Sequence, residues 1–553
     1  MREMKTQWFH IEDIDRQRGL VDAAAEILRR GGLLAIPTET VYGLGADGLN
    51  EAAVRRIFEA KGRPQDNPLI LHVPDASWLA RYCTEIPPAA YRLAERFWPG
   101  PLTMILKRRD IVPLRTTGGL DTVGMRCPDH PITRAIIERA GVPVAAPSAN
   151  TSGRPSCTTA AHVREDMDGK IDGIVDGGDC RVGVESTIID LTVSPPRLLR
   201  PGGLALEEVR AVLGEVAVDP AVTRQMDADE APRAPGMKYR HYAPKAPVTV
   251  VAGTPGQSAR YLLRHAGEKA GVIVFDEFAP LFSTQVVRTL GGMNDPGAQA
   301  HRVFDALRAF DRTDVTEIWA QCPDSKGLGL AVENRLKKAA GFRVADARDG
   351  TVFLGFTGGT GAGKTSALRA LERMGAYVVD CDAVYHEMLS QDGPLRREIA
   401  AAFAGAFASD GTLDRQKLGE LVFSDARQLE RLDRLVRAHV PRESVRRAMD
   451  AGAELVGLDA IKLIESGLGA LCDATVAVLA PEELRVRRIM ARDGITESYA
   501  RARVRSQQDE TFFRTQCSHV FVNDYTDLEE AQAAADAFLR DIIKQLKEDK
   551  RNV

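Results

Sequence analysis

Apolar positions recur with two periods along the chain. In LVDAAAEILRRGG, Leu20, Ala24, Ile27 and Leu28 share one helical face, and Gly31 is placed to end the helix. LLAIPT then predicts a buried strand. The short apolar runs PLILHV, PLTMILK, TVGMR, VPVAAPSAN, GIVDGG and ESTIIDL follow, parted by Gly, Pro and Asp turns and by helices. Together they predict a large mixed α/β domain over 1–224. From Gln225 to Pro247 the periodicity stops, and a charged, proline-rich stretch predicts a connecting segment over 225–247. Its GMKYRHYAP core is unusually rich in Tyr, His and Arg for a passive tether. PVTVVAG, GVIVFD and EIWAQCP alternate next with helical stretches such as HRVFDALRAF, predicting a small three-layer α/β domain over 248–345. TVFLGFTGG opens a last domain, 351–553. LEEAQAAADAFLRDIIKQLKE closes it, with Leu539, Ile542 and Leu546 spaced as a docking face. The fold class is α/β throughout.

The 553 residues suit three or four domains, and 44% hydrophobic residues suffice for a core in each. A formal net charge of -4 supplies no global basic field, so no stable nucleic-acid binding is expected. The eight cysteines form no C-x-x-C pair, which suits free thiols in a reducing compartment. Nowhere do 18 apolar residues run together, and the expectation is a soluble, cytoplasmic protein without membrane contact.

Gly358 to Thr365, GGTGAGKT, fits G-x-x-x-x-G-K-[ST] between a predicted strand and helix, the context a phosphate loop requires. Gly359, Gly361, Ala362 and Gly363 would turn backbone N–H groups toward phosphate oxygens, with Ser366 in the helix they open. Lys364 would offset charge, and the Thr365 hydroxyl would ligate the Mg²⁺ that accompanies ATP. Asp380 and Asp382 end the next predicted strand, where a carboxylate can take a proton from an attacking hydroxyl. A surface pair capping the following helix is the alternative reading.

From Thr351 to Val553 the chain resembles dephospho-CoA kinase. The resemblance rests on TGGxGxGK, the strand ending D-x-D, DGTLDR at 410–415, VFSD, the R-x-x-x-R-D of Arg488, Arg492 and Asp493, R-V-x-x-Q ending at Gln507, and H-V-F-V-N. It implies transfer of the ATP γ-phosphoryl to the ribose 3′-hydroxyl of dephospho-CoA. Asp382 would be the base, and Arg488 and Arg492 would be lid cations that neutralise the transition state. Two acceptor-side segments depart from the family. Arg437-Ala438 stands where a His-Pro pair is usual, and Asp459-Ala460-Ile461-Lys462 replaces the start of D-x-P-L-L-F-E. A nucleotide-binding regulatory module is therefore the alternative to an active kinase.

The first domain supplies cations and hydroxyls but no nucleophile with a base beside it. Lys61, Arg63, Arg126 and Arg200 can neutralise a polyphosphate and a carboxylate, while Thr40, Ser148, Asn150, Ser186 and Thr187 can orient polar groups. Such a site works by positioning and charge stabilisation. K-x-R at Lys61 to Arg63 and S-x-N at Ser148 to Asn150, with PTETVYGLGAD, GVESTIID and LLRPGG, resemble the YrdC-like threonylcarbamoyl-AMP synthases. PGMKYRHYAP and GLGLAVENRLKKAA are similar to their longer form, which carries a Rossmann-like extension. The resemblance covers Met1 to about Ala345. It implies substrates ATP, bicarbonate and L-threonine, and a product handed to downstream proteins that transfer threonylcarbamoyl to tRNA. It places Thr40, His72, Arg126 and Ser186 around threonine. Around ATP it places Lys61, Arg63, Asn67, Thr122, Ser148, Asn150, Ser156, Arg200 and the connector's Tyr239. Lys61 and Arg63 would carry the catalytic charge, with Tyr239, Arg240, His241 and Tyr242 as a lid against water.

Overall fold

The computed structural model describes residues 5–225, 232–237, 241–282, 284–408, 412–423 and 425–551. They form two compact units. The first comprises Met1–Val250, Lys269–Asp276 and Arg288–Ala345; the second comprises Val251–Glu268, Glu277–Val287 and Asp346–Val553.

The first unit is built on a twelve-stranded mixed sheet. Strands Ile70–His72 and Thr122–Arg126 run parallel, pairing His72 with Arg126 at their carboxyl ends. Thr122–Arg126 is antiparallel to Leu102–Arg108, which in turn lies parallel to Thr187–Asp190. Arg197–Arg200 runs antiparallel to Thr187–Asp190 and brings Arg200 opposite Ile188. These reversals gather His72, Arg126, Ser186 and Arg200 at one end of the sheet.

Helix Glu51–Lys61 shows how the local sequence aims a cation inward. Asn50 caps it by accepting from Ala52 and Ala53 N–H, and Gly62, at φ 62°, closes it in a left-handed turn. Ala53, Val54, Ile57, Phe58 and Lys61 are its buried residues, so Lys61 continues the apolar face one turn further. Helix Arg18–Arg29 departs slightly from expectation: its buried residues are Val21, Ala24, Ala25 and Leu28, and Leu20 is exposed. Strand Gln7–His10, which pairs with Gly173–Asp176, had no clear signature.

A five-stranded sheet carries strands 286–289, 270–274, 317–321, 248–252 and 344–346 in that order. Helices Pro296–Ala309 and Gly329–Ala339 belong to the first unit. The connector is not a solvated tether over its described residues. Ala234, Met237 and Tyr242 are buried, the first two in one cluster with Ile70, Ile105, Ile188 and Leu199.

The second unit holds five parallel strands ordered 377–380, 455–459, 352–357, 474–479, 519–522. The central strand is almost wholly apolar and buried, as a strand covered on both faces must be. Leu539 and Ile542 of the closing helix are buried against it and Leu546 is half-buried, as their spacing predicted. All eight cysteines are free. No helix among the described residues is long and apolar enough to cross a membrane.

Candidate active sites

In the first unit a cleft is lined by Lys61, Arg63, His72, Arg126, Ser148, Asn150, Ser186 and Arg200. Glu185, Pro235, Gly236, His241 and Tyr242 also face it. Lys61 donates to the carbonyl oxygens of Ser148 (2.5 Å) and Asn150, so the K-x-R and S-x-N motifs are joined by hydrogen bonds. Burial, then neighbouring Arg63, pushes Lys61 down to about 7. Arg63 donates to the Pro68 carbonyl (3.2 Å). Ser148 Oγ meets Asn150 Oδ1 at 2.5 Å, and Asn150 Nδ2 donates to Thr151 and Arg154 carbonyls at 2.8 Å each.

Arg126, 4% exposed, donates through Nη2 to Glu39 Oε2 (2.7 Å) and Thr40 Oγ1 (2.8 Å). Burial and adjacent Arg126 push His72 down to about 3, so it is neutral at pH 7. Arg200 donates to the Ser186 carbonyl (3.0 Å) and hydroxyl (3.2 Å) and to the Pro235 carbonyl (3.2 Å), tying the connector to the sheet. Burial opposes charge on Glu185, but Arg335 and Arg200 outweigh it and hold the carboxyl at about 2. Its oxygens accept from Ser156 Oγ (2.7 Å) and Arg335 Nε (2.6 Å). Lys338, pushed down to about 7 by burial and then Arg335, donates to the Gly236 carbonyl.

The structure therefore gathers Lys61, Arg63, His72, Arg126, Ser148, Asn150, Ser186 and Arg200, and sets Thr40 directly behind Arg126. Ser156 is fully buried behind the cleft on Glu185. Asn67 is 2% exposed and does not line the cleft, although its backbone lies beside Arg63. Thr122 pairs with Lys107 at the other end of the strand from Arg126 and is not among the residues lining this cleft. Thr187 spends its hydroxyl on Leu204 (2.6 Å). Tyr239 and Arg240 lie outside the described residues, while His241 and Tyr242 do face the cleft. Glu39 and Glu185 stood unnoticed inside quoted motifs, and Arg335 and Lys338 inside GLGLAVENRLKKAA.

In the second unit Gly358, Gly361 and Gly363 take φ of 141°, 82° and 89°, values side chains disfavour. A Cβ on Gly363 would lie 2.1 Å from Asn523 Nδ2, and one on Gly359 2.2 Å from Arg485 Nη2. The loop opens helix Lys364–Arg373, with Ala362 and Ser366 buried and Thr365 exposed. Lys364 Nζ is held 2.5 Å from Asp459 Oδ1, and Asp459 is the register neighbour of Asp380. Asp380 caps helix Cys381–Ser390 by accepting from Ala383 N–H (2.8 Å), so the capping reading holds for this residue. Asp382 lies in that helix's first turn rather than on the strand. Its carboxyl is raised by desolvation and by Asp380 and Asp459, against the pull of Lys364.

Neither expected lid arginine stands free. Arg488 donates to Gly361 (3.3 Å), Ala362 (3.2 Å) and Tyr525 (2.7 Å) carbonyls, which makes it a brace of the loop. Arg492 is exposed and paired with Asp493 at 2.7 Å. Arg485 and Gln507, which sequence reading gave no role, also hold the loop: Gln507 Oε1 accepts from Thr360 N–H (2.8 Å) and Arg485 Nη2 (2.7 Å). Beside Asp382 opens a largely apolar cavity of about 290 Å³ lined by Tyr385, Leu432, Val436, Val440 and Leu468. The departures Arg437 and Lys462 line it too. Both touch Asp433, Arg437 through its carbonyl (3.2 Å) and Lys462 through its carboxylate (3.4 Å). Among the described residues no cluster of His, Cys, Asp or Glu could hold a metal on its own.

Three family models match in order: Telomere recombination over residues 26–202, Threonylcarbamoyl-AMP synthase C-terminal domain over 204–341, and Dephospho-CoA kinase over 352–529. The threonylcarbamoyl-AMP synthase of Pyrococcus abyssi (strain GE5 / Orsay) is 51% identical over 330 residues, which is 58% of this chain and 94% of the relative. That of Bacillus subtilis (strain 168) is 45% identical over 347 residues, 62% of this chain and 99% of the relative. The crystal structure of P. abyssi Sua5 complexed with L-threonine superposes with a TM-score of 0.57 at 48% identity, over 62% of this chain and 99% of that one. A fold of this kind, with a cation-lined cleft in the first unit and a phosphate loop in the second, is that of a nucleotide-dependent transferase. The chain belongs to the threonylcarbamoyl-AMP synthase family, in its long form, and carries a dephospho-CoA kinase domain behind it.

Proposed function

We propose that the chain is bifunctional. The first unit forms L-threonylcarbamoyl-AMP from ATP, bicarbonate and L-threonine, for transfer to tRNA by downstream proteins. The second phosphorylates the 3′-hydroxyl of dephospho-CoA with ATP. The observation that carries the synthase reading is the charge of its cleft. Four basic side chains face it, while its nearby carboxylates Glu39 and Glu185 are already engaged by Arg126 and Arg335. Lys61, Arg63, Arg126 and Arg200 together in one cleft suit a triphosphate with an amino-acid carboxylate. A related solved structure holds L-threonine, and Arg126, Thr40 and Ser186 offer a carboxylate partner and hydroxyl partners here. A carbamate oxygen would attack the α-phosphorus and pyrophosphate would leave, with Lys61, Arg63 and Arg200 holding charge on the phosphates.

In the kinase unit the ribose hydroxyl would give its proton to Asp382, whose raised pKa favours that role, as its oxygen attacks the γ-phosphorus and ADP leaves. Magnesium arriving with ATP would meet the Thr365 hydroxyl and the Asp459 carboxylate, hard oxygen donors of the kind it takes, and it would neutralise phosphate charge. The presence of Arg437 and Lys462 in the acceptor cavity favours a second reading for this unit, a nucleotide-binding regulatory module.

Pyrophosphate release requiring both threonine and bicarbonate tests the synthase, and release independent of either contradicts it. ADP release dependent on dephospho-CoA tests the kinase. Turnover no higher than in Lys364→Ala selects the regulatory reading.

A further inference from the structure

Two segments inside the stretch matched by the synthase C-terminal-domain model, Val251–Glu268 and Glu277–Val287, belong to the compact unit of the kinase. Their contacts there are specific. Arg260, on helix Pro255–His265, is 1% exposed, and its guanidinium sits 4.0 Å over the Phe353 ring in the kinase's central strand. Nη1 donates to the Leu471 carbonyl, and Nη2 lies 3.9 Å from Asp473 and 4.0 Å from Asp349. The Asp473 carboxylate also accepts from Phe353 N–H (2.8 Å) and Lys550 (2.9 Å), so one buried charge cluster ties this helix to the strand and to the closing helix. Gly256 packs so tightly that an added Cβ would be 3.2 Å from the Leu471 carbonyl.

Both contact regions carry walls of the cavity beside Asp382. Leu471 ends the short helix Leu468–Leu471, and Leu468, Ser466, Glu465 and Lys462 line that cavity. Leu281, 2% exposed, reaches within 3.6 Å of the Cβ position of Gly467. Helix Ala426–Asp450 gives the opposite wall through Leu432, Asp433, Val436, Arg437 and Val440. Its last residue, Asp450, pairs with Arg264 at 3.3 Å. On its other side Arg434 and Arg437 face Ala279, Pro280 and Phe282 across a second groove. The phosphate loop is braced by Arg485, Arg488, Gln507 and Asn523.

We infer that these two segments of the synthase extension form the outer scaffold of the kinase's acceptor cavity, with Arg260 as the positioning residue that sets the spacing of its walls. A buried guanidinium that donates to the Leu471 carbonyl and lies over the Phe353 ring, with two carboxylates near 4 Å, has a directional seat where apolar packing alone would allow sliding. The inference rests on the kinase reading for its choice of acceptor, but the scaffold itself can be measured separately.

Arg260→Met and Leu281→Ala, each in the full chain, test it. Expected for both is a rise of about tenfold in KM for dephospho-CoA, with kcat and KM for ATP within about twofold. Threonylcarbamoyl-AMP formation should be unchanged, and Arg260→Lys should restore part of the acceptor affinity. Amide exchange should quicken in 426–450 and 460–472 and stay unchanged in helix Lys364–Arg373. Unchanged acceptor KM in both variants, or an equal loss of ATP affinity, overturns the inference. Should Arg260→Met fail to fold, Leu281→Ala decides. If the unmodified chain does not phosphorylate dephospho-CoA, the kinase reading fails and exchange alone judges the scaffold: local quickening supports it, and unaltered exchange overturns it.

Discussion

The two clefts meet the same ligand with opposite devices. In the synthase cleft the positive charge is carried by side chains that are buried and hydrogen-bonded before anything binds. Lys61 rests on two carbonyls, Arg126 on Glu39 and Thr40, and Arg200 on Ser186 and Pro235. In the kinase cleft the backbone does that work through three glycines at positive φ and a helix N-terminus, and the one lysine is parked on a carboxylate. A phosphate entering the second site must win Lys364 from Asp459, and a carboxylate entering the first must share Arg126 with Glu39. The lesson is that preorganisation by side chains demands a charge-balanced shell, while preorganisation by backbone demands only room for atoms.

The largest effect should come from breaking that shell. Arg335→Met leaves Glu185 buried without its partner, and a loss of about 3–5 kcal/mol is expected. Chemical denaturation read on the first unit measures it, and the kinase should be spared. The same carboxyl predicts a pH window. Glu185 is held at about 2, below its usual value, so its stabilising share is present at neutral pH and lost as pH falls through about 4 toward 2. Arg335→Met should flatten the acid side of the stability profile.

Next in size, Lys61→Met should cut pyrophosphate release about 10²- to 10³-fold while ADP release persists. Equal loss of both reactions would erase the distinction between the clefts. In the kinase the weak point is steric. Gly363→Ala puts a methyl group against Asn523 at a φ of 89°, so local strain of about 1–3 kcal/mol is expected. Nucleotide affinity of the kinase should fall, with synthase turnover unchanged.

The smallest signal is a proton. Lys61 sits near 7 because burial and then Arg63 disfavour its charge, and a bound triphosphate reverses that balance. At pH 8 ATP binding to the synthase cleft should take up a fraction of a proton, read by calorimetry in buffers of different ionisation enthalpy. Lys61→Met should diminish that uptake.

Much of this was legible in the sequence because it is local. The phosphate loop declares itself within eight residues, and K-x-R lies at one helix end, where the apolar face runs on into Lys61. What escaped is long-range. Glu185 finds Arg335 from 150 positions away, and Lys338 reaches Gly236 across 102. No spacing rule links such pairs, so the two carboxylates passed as motif filler. The connector was misleading for a related reason: Ala234, Met237 and Tyr242 lack periodicity, yet the sheet end and Phe304 bury them. Thr122 and Arg126 share one strand, but its length carries them to opposite ends.

The central claim is that two separate clefts each bind ATP, and equilibrium binding of a non-hydrolysable ATP analogue to the intact chain tests it most directly. Two nucleotides per chain are predicted, one lost in Lys61→Met and the other in Lys364→Ala. A single nucleotide per chain, or loss of both through either substitution, would contradict it.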